Sequence, residues 1–257
     1  MSPGLDRRSF LIGTSLTALG LMGASKPVTN EPETSSDLDK ATDSASIPAH
    51  QSPRSCRPAD PLRALCDGNA RFAEAWTKNN SGLTATTRAE AMASLWSDNC
   101  YLPADVLIKS QAPWATILCC ADSRVAPEWI FDAAPADLFV IRSAGNTAFD
   151  EAVASMEYAV SILGTPLIMV MGHSNCGAVV AARHSDPLTP MLEHLVTPIR
   201  ASLSANESLE ASIKANATQT AQQLTQRSSL LRDAVNDGSL TIVVSFFEIS
   251  SGVVTMI

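Results

Sequence analysis

The sequence predicts an α/β fold: a mostly parallel central sheet flanked by helices, with N-terminal helices before it and a C-terminal strand extension. Three observations predict it. Residues 115–119, 138–141 and 167–171 are short apolar runs without polar alternation, as expected of parallel strands buried on both faces. Between the second and third runs, Phe149, Val153, Met156, Val160 and Leu163 form one helical stripe, so strand, crossover helix and strand imply a right-handed parallel unit. The first and third runs each close on metal-ligating side chains, Cys120 in one case and His173 with Cys176 in the other. Open α/β sheets bind ligands at such carboxyl strand ends.

The elements follow in chain order. Asp6-Arg7-Arg8-Ser9-Phe10-Leu11 places twin arginines before an apolar stretch, residues 10–24, that is too short and too glycine-diluted to span a membrane. Residues 1–25 therefore read as a twin-arginine export signal, removed on processing and leaving no stable membrane insertion. Export by that route would place the protein in the periplasm. Residues 26–57 read as a linker, with Pro27, Pro32, Pro48 and Pro53 interrupting a Ser/Thr/Asp/Glu-rich segment that has no apolar period. The folded domain is expected over residues 58–257. Pro61 opens a helix carrying Leu62, Leu65, Ala70 and Phe72, and a second helix is predicted over residues 88–96. The stripe helix carries a capping-box pattern at Thr147 and Asp150, and Gly164 with Pro166 stops it. Residues 190–235 read as two or more helices, and residues 240–246 and 253–256 as strands about the Ser250-Ser251-Gly252 turn.

With 257 residues, 46% of them hydrophobic, the chain can fill one α/β core beside its extra segments. Its net charge of -8 argues against nucleic acid or an anionic membrane surface as partner. Six cysteines need separate accounts. Cys119 alternates away from Cys120 along the strand and is expected in the core. In an exported chain, a disulfide is expected among Cys56, Cys66 and Cys100.

Cys120, His173 and Cys176 offer two thiolates and an imidazole, borderline-soft donors that suit zinc. Three protein ligands leave the fourth tetrahedral position free, as catalytic zinc requires. Singly, each cysteine fits a buried core residue; the set at two strand ends points to the metal. Gly172 is expected to break the strand and start a helix whose N-terminus favours the Cys176 thiolate. Asp122 could close the site as a fourth ligand. Arg124, two residues on, can hold that carboxylate bidentately and keep it off the metal.

Cys120-Ala-Asp122-Ser-Arg124-Val125, Asp137-Leu-Phe139-Val-Ile-Arg142-Ser-Ala-Gly145-Asn146, Glu157-Tyr158-Ala-Val and Gly172-His173-Ser174-Asn-Cys176-Gly177-Ala-Val resemble, in order, the signature blocks of β-class carbonic anhydrases. The likeness runs from Ala64-Leu-Cys-Asp-Gly68-Asn69-Ala-Arg71-Phe72 to the last strands. It implies zinc ligation by Cys120, His173 and Cys176, with Asp122 and Arg124 as a gating dyad. It further implies, as in the plant-like branch, a substrate hydrogen bond from Gln111, pocket walls at Phe139 and Tyr158, and a donor at the Gly177 N–H. The implied reaction is reversible hydration of carbon dioxide to bicarbonate and a proton by zinc-bound hydroxide. Its pocket is usually built between subunits, so at least a homodimer is expected. His184 could shuttle the proton by its ordinary pKa, though a solvated helix-end histidine is the plainer reading.

The chain departs from the family at Ser143, where an asparagine is common, and at Ser245-Phe246-Phe247-Glu248, where a glycine-led, tyrosine-containing strand is frequent. Ile117 replaces a tryptophan of the bicarbonate-inhibited branch, so no allosteric bicarbonate pocket is expected. Two rivals stay open at this point: a hydrolase of carbon disulfide or carbonyl sulfide on the same scaffold, and a catalytically silent zinc- or bicarbonate-binding protein with Asp122 on the metal.

Overall fold

Pro61 has the fixed φ that a first helical turn needs, and the Asp60 carboxylate accepts the Arg63 N–H at 3.0 Å, so α1 (Pro61–Asn79) starts where the sequence expects. The computed structural model describes residues 57–79, 84–96 and 99–257; the expected leader, nearly all of the linker and Cys56 lie outside them. Leu65, Phe72 and Ala75 bury one face of α1, while Ala70 is exposed. Five residues beyond Leu65, Ala70 sits roughly 140° round the helix, which is why it misses the stripe. The second helix, α2 (Ala85–Ala93), begins before residue 88 because the Thr84 hydroxyl accepts the Thr87 N–H, and Trp96, at φ 69, lies beyond its end. A short α3 (Ala104–Leu107) follows, which the sequence did not suggest.

The core alternates strand and helix: β1 (Ala115–Cys120), α4 (Pro127–Ile130), β2 (Leu138–Ser143), α5 (Asp150–Ser161), β3 (Leu167–His173), α6 (Gly177–Arg183), α7 (Pro190–Arg200), α8 (Leu209–Arg227), α9 (Ser229–Asn236), β4 (Thr241–Glu248) and β5 (Val253–Met256). The sheet order is β2-β1-β3-β4-β5, with four parallel strands and β5 antiparallel to β4. The predicted fold class is the observed one. Every residue of β1 and β3 is buried, which explains their unbroken apolar runs. Alternate residues feed two cores. Ile117, Cys119, Met169 and Met171 face α1; Leu118, Ile168 and Val170 face α5, α8 and α9.

Two local expectations are corrected. Gly172 does not break β3: Gly172 and His173 still pair with Phe246 and Phe247 of β4. Glycine is needed there because a Cβ would stand 2.9 Å from the Ile213 side chain on α8. Nor does the capping box form. Phe149 is the N-cap of α5 without a side-chain bond and is 39% exposed, whereas the Ser143 hydroxyl engages both the carbonyl and the hydroxyl of Thr147 at 3.1 Å.

From β1 the chain leaves toward β2, and from the adjacent β3 it leaves toward β4. Loops departing in opposite directions open a crevice at the carboxyl ends of β1 and β3, the topological switch point where such sheets take ligands.

Candidate metal centre

Cys120 ends β1, His173 ends β3 and Cys176 is the N-cap of α6, so the switch point carries all three. Their ligand atoms lie within 4.8 Å of one another, and all three residues are buried. The sulfurs are 3.9 Å apart. Two thiolates about 2.3 Å from one tetrahedral ion stand roughly 3.8 Å apart, so the spacing fits zinc. His173 adds a second sign. It is 0% exposed, its Nδ1 lies 3.0 Å from the Ser174 carbonyl, and its Nε2 is buried without a hydrogen-bond partner. A buried ring nitrogen without a partner costs free energy unless something binds it, and metal-bound histidines commonly give their other nitrogen to a carbonyl. The residues present therefore fit a zinc ion.

The contact between the two sulfurs pulls Cys120 well below its ordinary pKa and pushes Cys176 up. The Gly145 N–H also donates to the Cys120 sulfur at 3.3 Å. Gly145 has φ 74, and a Cβ there would meet the Ile199 side chain at 2.6 Å, so the donor requires glycine. From α8, the buried Asn216 amide fixes this turn by donating to the Gly145 carbonyl at 2.8 Å. Arg142 holds the other flank, donating to the carbonyls of Cys120 at 3.2 Å and Asp122 at 2.8 Å. Cys119 faces the core, and burial pushes its thiol up to about 12, so it offers no thiolate.

Both carboxylate oxygens of Asp122 are taken by Arg124, at 2.8 Å from Nε and 2.6 Å from Nη2, and the Arg124 backbone N–H donates as well at 2.9 Å. These bonds hold Asp122 well below the usual carboxylate range. Its Oδ2 is 4.0 Å from His173 Nε2, beside the metal-facing atom. Arg124 Nη2 also donates to the Asn175 carbonyl at 3.3 Å, tying the loop after β1 to the loop after β3. An apolar cleft of about 410 Å³ opens beside Arg124, walled by Phe72, Trp76, Trp129, Ile130, Phe247 and Ile249.

The other expected site residues are not all gathered here. Gly177 opens α6 next to Cys176, exposed, with open space where a side chain would stand. Phe139 and Tyr158 lie together, their rings 6.3 Å apart, but Phe139 pairs with Thr116 while Cys120 pairs with Ser143. That register puts Phe139 about 13 Å below the cysteine at roughly 3.3 Å per residue. Gln111 is exposed in the loop before β1, at the amino end of the strand. His184 is the exposed C-cap of α6 and joins no metal-ligating group among the described residues. No spacing in the sequence assigns a role to Gly145, Asn216 or Arg142. Asn216 was the findable one, a polar side chain on the α8 face that buries Ile213, Ala217 and Leu224.

Of the three spare cysteines, Cys66 is a free, exposed thiol and Cys100 is disulfide-bonded. No helix among the described residues is long and apolar enough to cross a membrane.

The carbonic anhydrase family model matches residues 115–254. A carbonic anhydrase of Mycolicibacterium smegmatis is 32% identical over 207 residues, 76% of this chain and 91% of that protein. Carbonic anhydrase 2 of Mycobacterium tuberculosis is 37% identical over 158 residues, 57% of this chain and 75% of its own. Among solved structures, the β-carbonic anhydrase CafA of Aspergillus fumigatus superposes with a TM-score of 0.55 at 25% identity, covering 72% of this chain and 90% of that one. A tetrameric β-carbonic anhydrase of Sordaria macrospora shares the fold with a TM-score of 0.56 at 22% identity, covering 67% and 93%. With this fold, this order of blocks and a buried Cys-His-Cys triad at the switch point, the chain belongs to the carbonic anhydrase family, in its β class.

Proposed function

We propose that this β-carbonic anhydrase hydrates carbon dioxide reversibly to bicarbonate and a proton at a zinc ion held by Cys120, His173 and Cys176. The observation that carries the reading is the unpartnered His173 Nε2 facing two sulfurs, with the neighbouring carboxylate fully engaged by Arg124. When bound, zinc supplies the Lewis acidity that lets a water lose a proton near neutral pH. Arg124 keeps Asp122 ionised and aimed. Asp122 Oδ2 then accepts a hydrogen bond from the attacking oxygen and turns a lone pair of that oxygen toward the carbon. Gly177 opens α6, where a backbone N–H has no intrahelical acceptor, which supports its role as a donor to an oxygen of carbon dioxide or bicarbonate.

Gln111, Phe139 and Tyr158 sit toward the amino end of the strands, away from their own triad. We assign them to the partner's site. β2 is an edge strand, and a two-fold that pairs it antiparallel with its copy brings the amino end of one subunit beside the carboxyl end of the other. The homodimer so formed completes two pockets, with Gln111 supplying the plant-like substrate contact and the two rings the apolar wall.

Zinc content and stopped-flow carbon dioxide hydration of the wild type and Cys176→Ala test the centre. Both are expected to be lost in the variant, and retained hydration would reject the assignment.

The twin arginines and residues 10–24 support a signal peptide over residues 1–25, a linker over 26–57 and a catalytic domain over 58–257, with export to the periplasm. The disulfide at Cys100 suits an oxidising compartment. Replacing Arg7 and Arg8 together by lysine is expected to leave the protein in the cytoplasmic fraction; unchanged periplasmic recovery would count against export.

A further inference from the structure

Ser174, which follows the proposed histidine ligand, is pinned at three points. Its N–H donates to the Phe247 carbonyl at 2.9 Å, its hydroxyl accepts the Ile249 N–H at 3.0 Å, and that hydroxyl donates to Glu248 Oε1 at 3.0 Å. Its remaining polar group, the carbonyl, lies 3.0 Å from His173 Nδ1. Glu248 Oε1 is itself fixed, accepting the N–H of Ser250 at 3.0 Å and its hydroxyl at 2.9 Å. Glu248 ends β4, whose Phe247 pairs with His173. The carboxylate thus stands behind the ligand without touching it.

We infer that Glu248 is a positioning residue for the metal centre: through the Ser174 hydroxyl it locks the carbonyl that holds His173 as the Nδ1–H tautomer, with Nε2 turned to the ion. The inference rests on His173 being a zinc ligand. The physical need is specific. A neutral imidazole has two tautomers, and only the one protonated at Nδ1 presents a lone pair at Nε2. A carbonyl 3.0 Å from Nδ1 selects that tautomer if it cannot swing away. A serine in a loop has that freedom unless its side chain is held. Glu248 holds it, with an oxygen that also receives both donors of Ser250. The residue falls in the segment where the chain departs from the family pattern, so no motif pointed to it.

The test compares zinc release to a chromogenic chelator from zinc-loaded wild type, Glu248→Ala, Glu248→Gln, Ser174→Ala and the double alanine variant. Trp76→Phe is the control. It removes an indole hydrogen bond to the Ile249 carbonyl (2.9 Å) in the same turn and leaves Ser174 untouched. Losing an outer partner of a metal-bound histidine commonly weakens metal binding about 10- to 100-fold, so Glu248→Ala and Ser174→Ala should each release zinc roughly tenfold faster. The double variant should be no faster than either single one, because one chain of contacts is cut. Glu248→Gln keeps an acceptor oxygen and should stay within about twofold of wild type. Trp76→Phe should lower the melting temperature without speeding release. Wild-type release from both single alanine variants would overturn the inference, as would release that follows melting temperature across the series, Trp76→Phe included. If the wild type takes up no zinc, the ligand assignment fails instead; the two failures are distinguishable. If Glu248→Ala does not fold, Ser174→Ala decides, and wild-type release from it overturns the inference.

Discussion

At the scale of the residue, the proposed centre would depend on keeping a carboxylate from an ion it could otherwise bind. Asp122 lies beside the triad with an oxygen 4.0 Å from His173 Nε2, close enough that a small rotation would make it a ligand. What restrains it is a planar fork: Nε and Nη2 of Arg124 take one oxygen each, and the Asn175 carbonyl anchors the guanidinium from behind. Arg124 is about half exposed, so the pair contributes little to folding, and its value lies in geometry. Charge alone does not replace it. Lysine keeps the positive charge but has one nitrogen and cannot hold both oxygens. Arg124→Lys is therefore expected to retain zinc and fold while kcat/KM falls roughly 10²-fold, the usual cost of a small misplacement in a catalytic group. Stopped-flow hydration with parallel metal analysis checks this, and an unchanged kcat/KM would mean that charge, not the fork, restrains Asp122.

At the scale of the element, what could be read in the sequence divides along the range of the forces involved. Strands β1 and β3 were legible because burial on both faces demands apolar residues without interruption, and the triad was legible because it ends those same strands. Boundaries were less so. Gly172 looks like a strand breaker in isolation and is instead the only residue that lets α8 pass β3, a contact with Ile213 across the fold. Thr147 and Asp150 match a local capping pattern, but Ser143 competes for Thr147 and wins. Gly145, Asn216 and Arg142 act through backbone groups brought together by tertiary folding, and no spacing encodes that. Asp137, just before β2, shows a long-range effect that can be measured. Burial pushes its carboxyl above the ordinary value, and the Ala134 N–H at 2.8 Å offsets this only in part. Its folded pKa thus lies above its unfolded value of about 3.9, so the folded state holds the proton more tightly. Its contribution to stability is most favourable below that unfolded value and is lost as pH rises through the folded one. Asp137→Asn keeps the acceptor and removes the titration. The melting temperature of the variant relative to wild type should therefore rise between pH 3 and pH 7. A difference that stays flat, or falls, would show that the buried carboxylate carries no such penalty.

At the scale of the whole molecule, the proposed site residues fall into two groups at opposite ends of the strands. The carboxyl ends of β1 and β3 carry the triad and the dyad; Gln111, Phe139 and Tyr158 lie toward the opposite ends of the strands. A monomer has no way to bring the two ends together, because the register that separates them is fixed by the ladder between β1 and β2. The proposed two-fold at the β2 edge would do so at once for both sites, and would cover an exposed row of strand donors and acceptors. The arrangement makes a prediction that no single-subunit site shares. Cys176→Ala removes the metal but leaves Phe139 and Tyr158 to donate, and Phe139→Ala together with Tyr158→Ala removes the wall but leaves the metal. Each protein alone should be nearly inactive. Unfolded together and refolded at equal amounts, they pair at random, half of the dimers are mixed, and one of the two sites in each mixed dimer is complete. Activity should recover to about a quarter of wild type, as random assortment into a two-fold dimer requires. No recovery, with mixed dimers demonstrated by mass, would mean that the two rings serve their own subunit and that the centre is assembled within one chain.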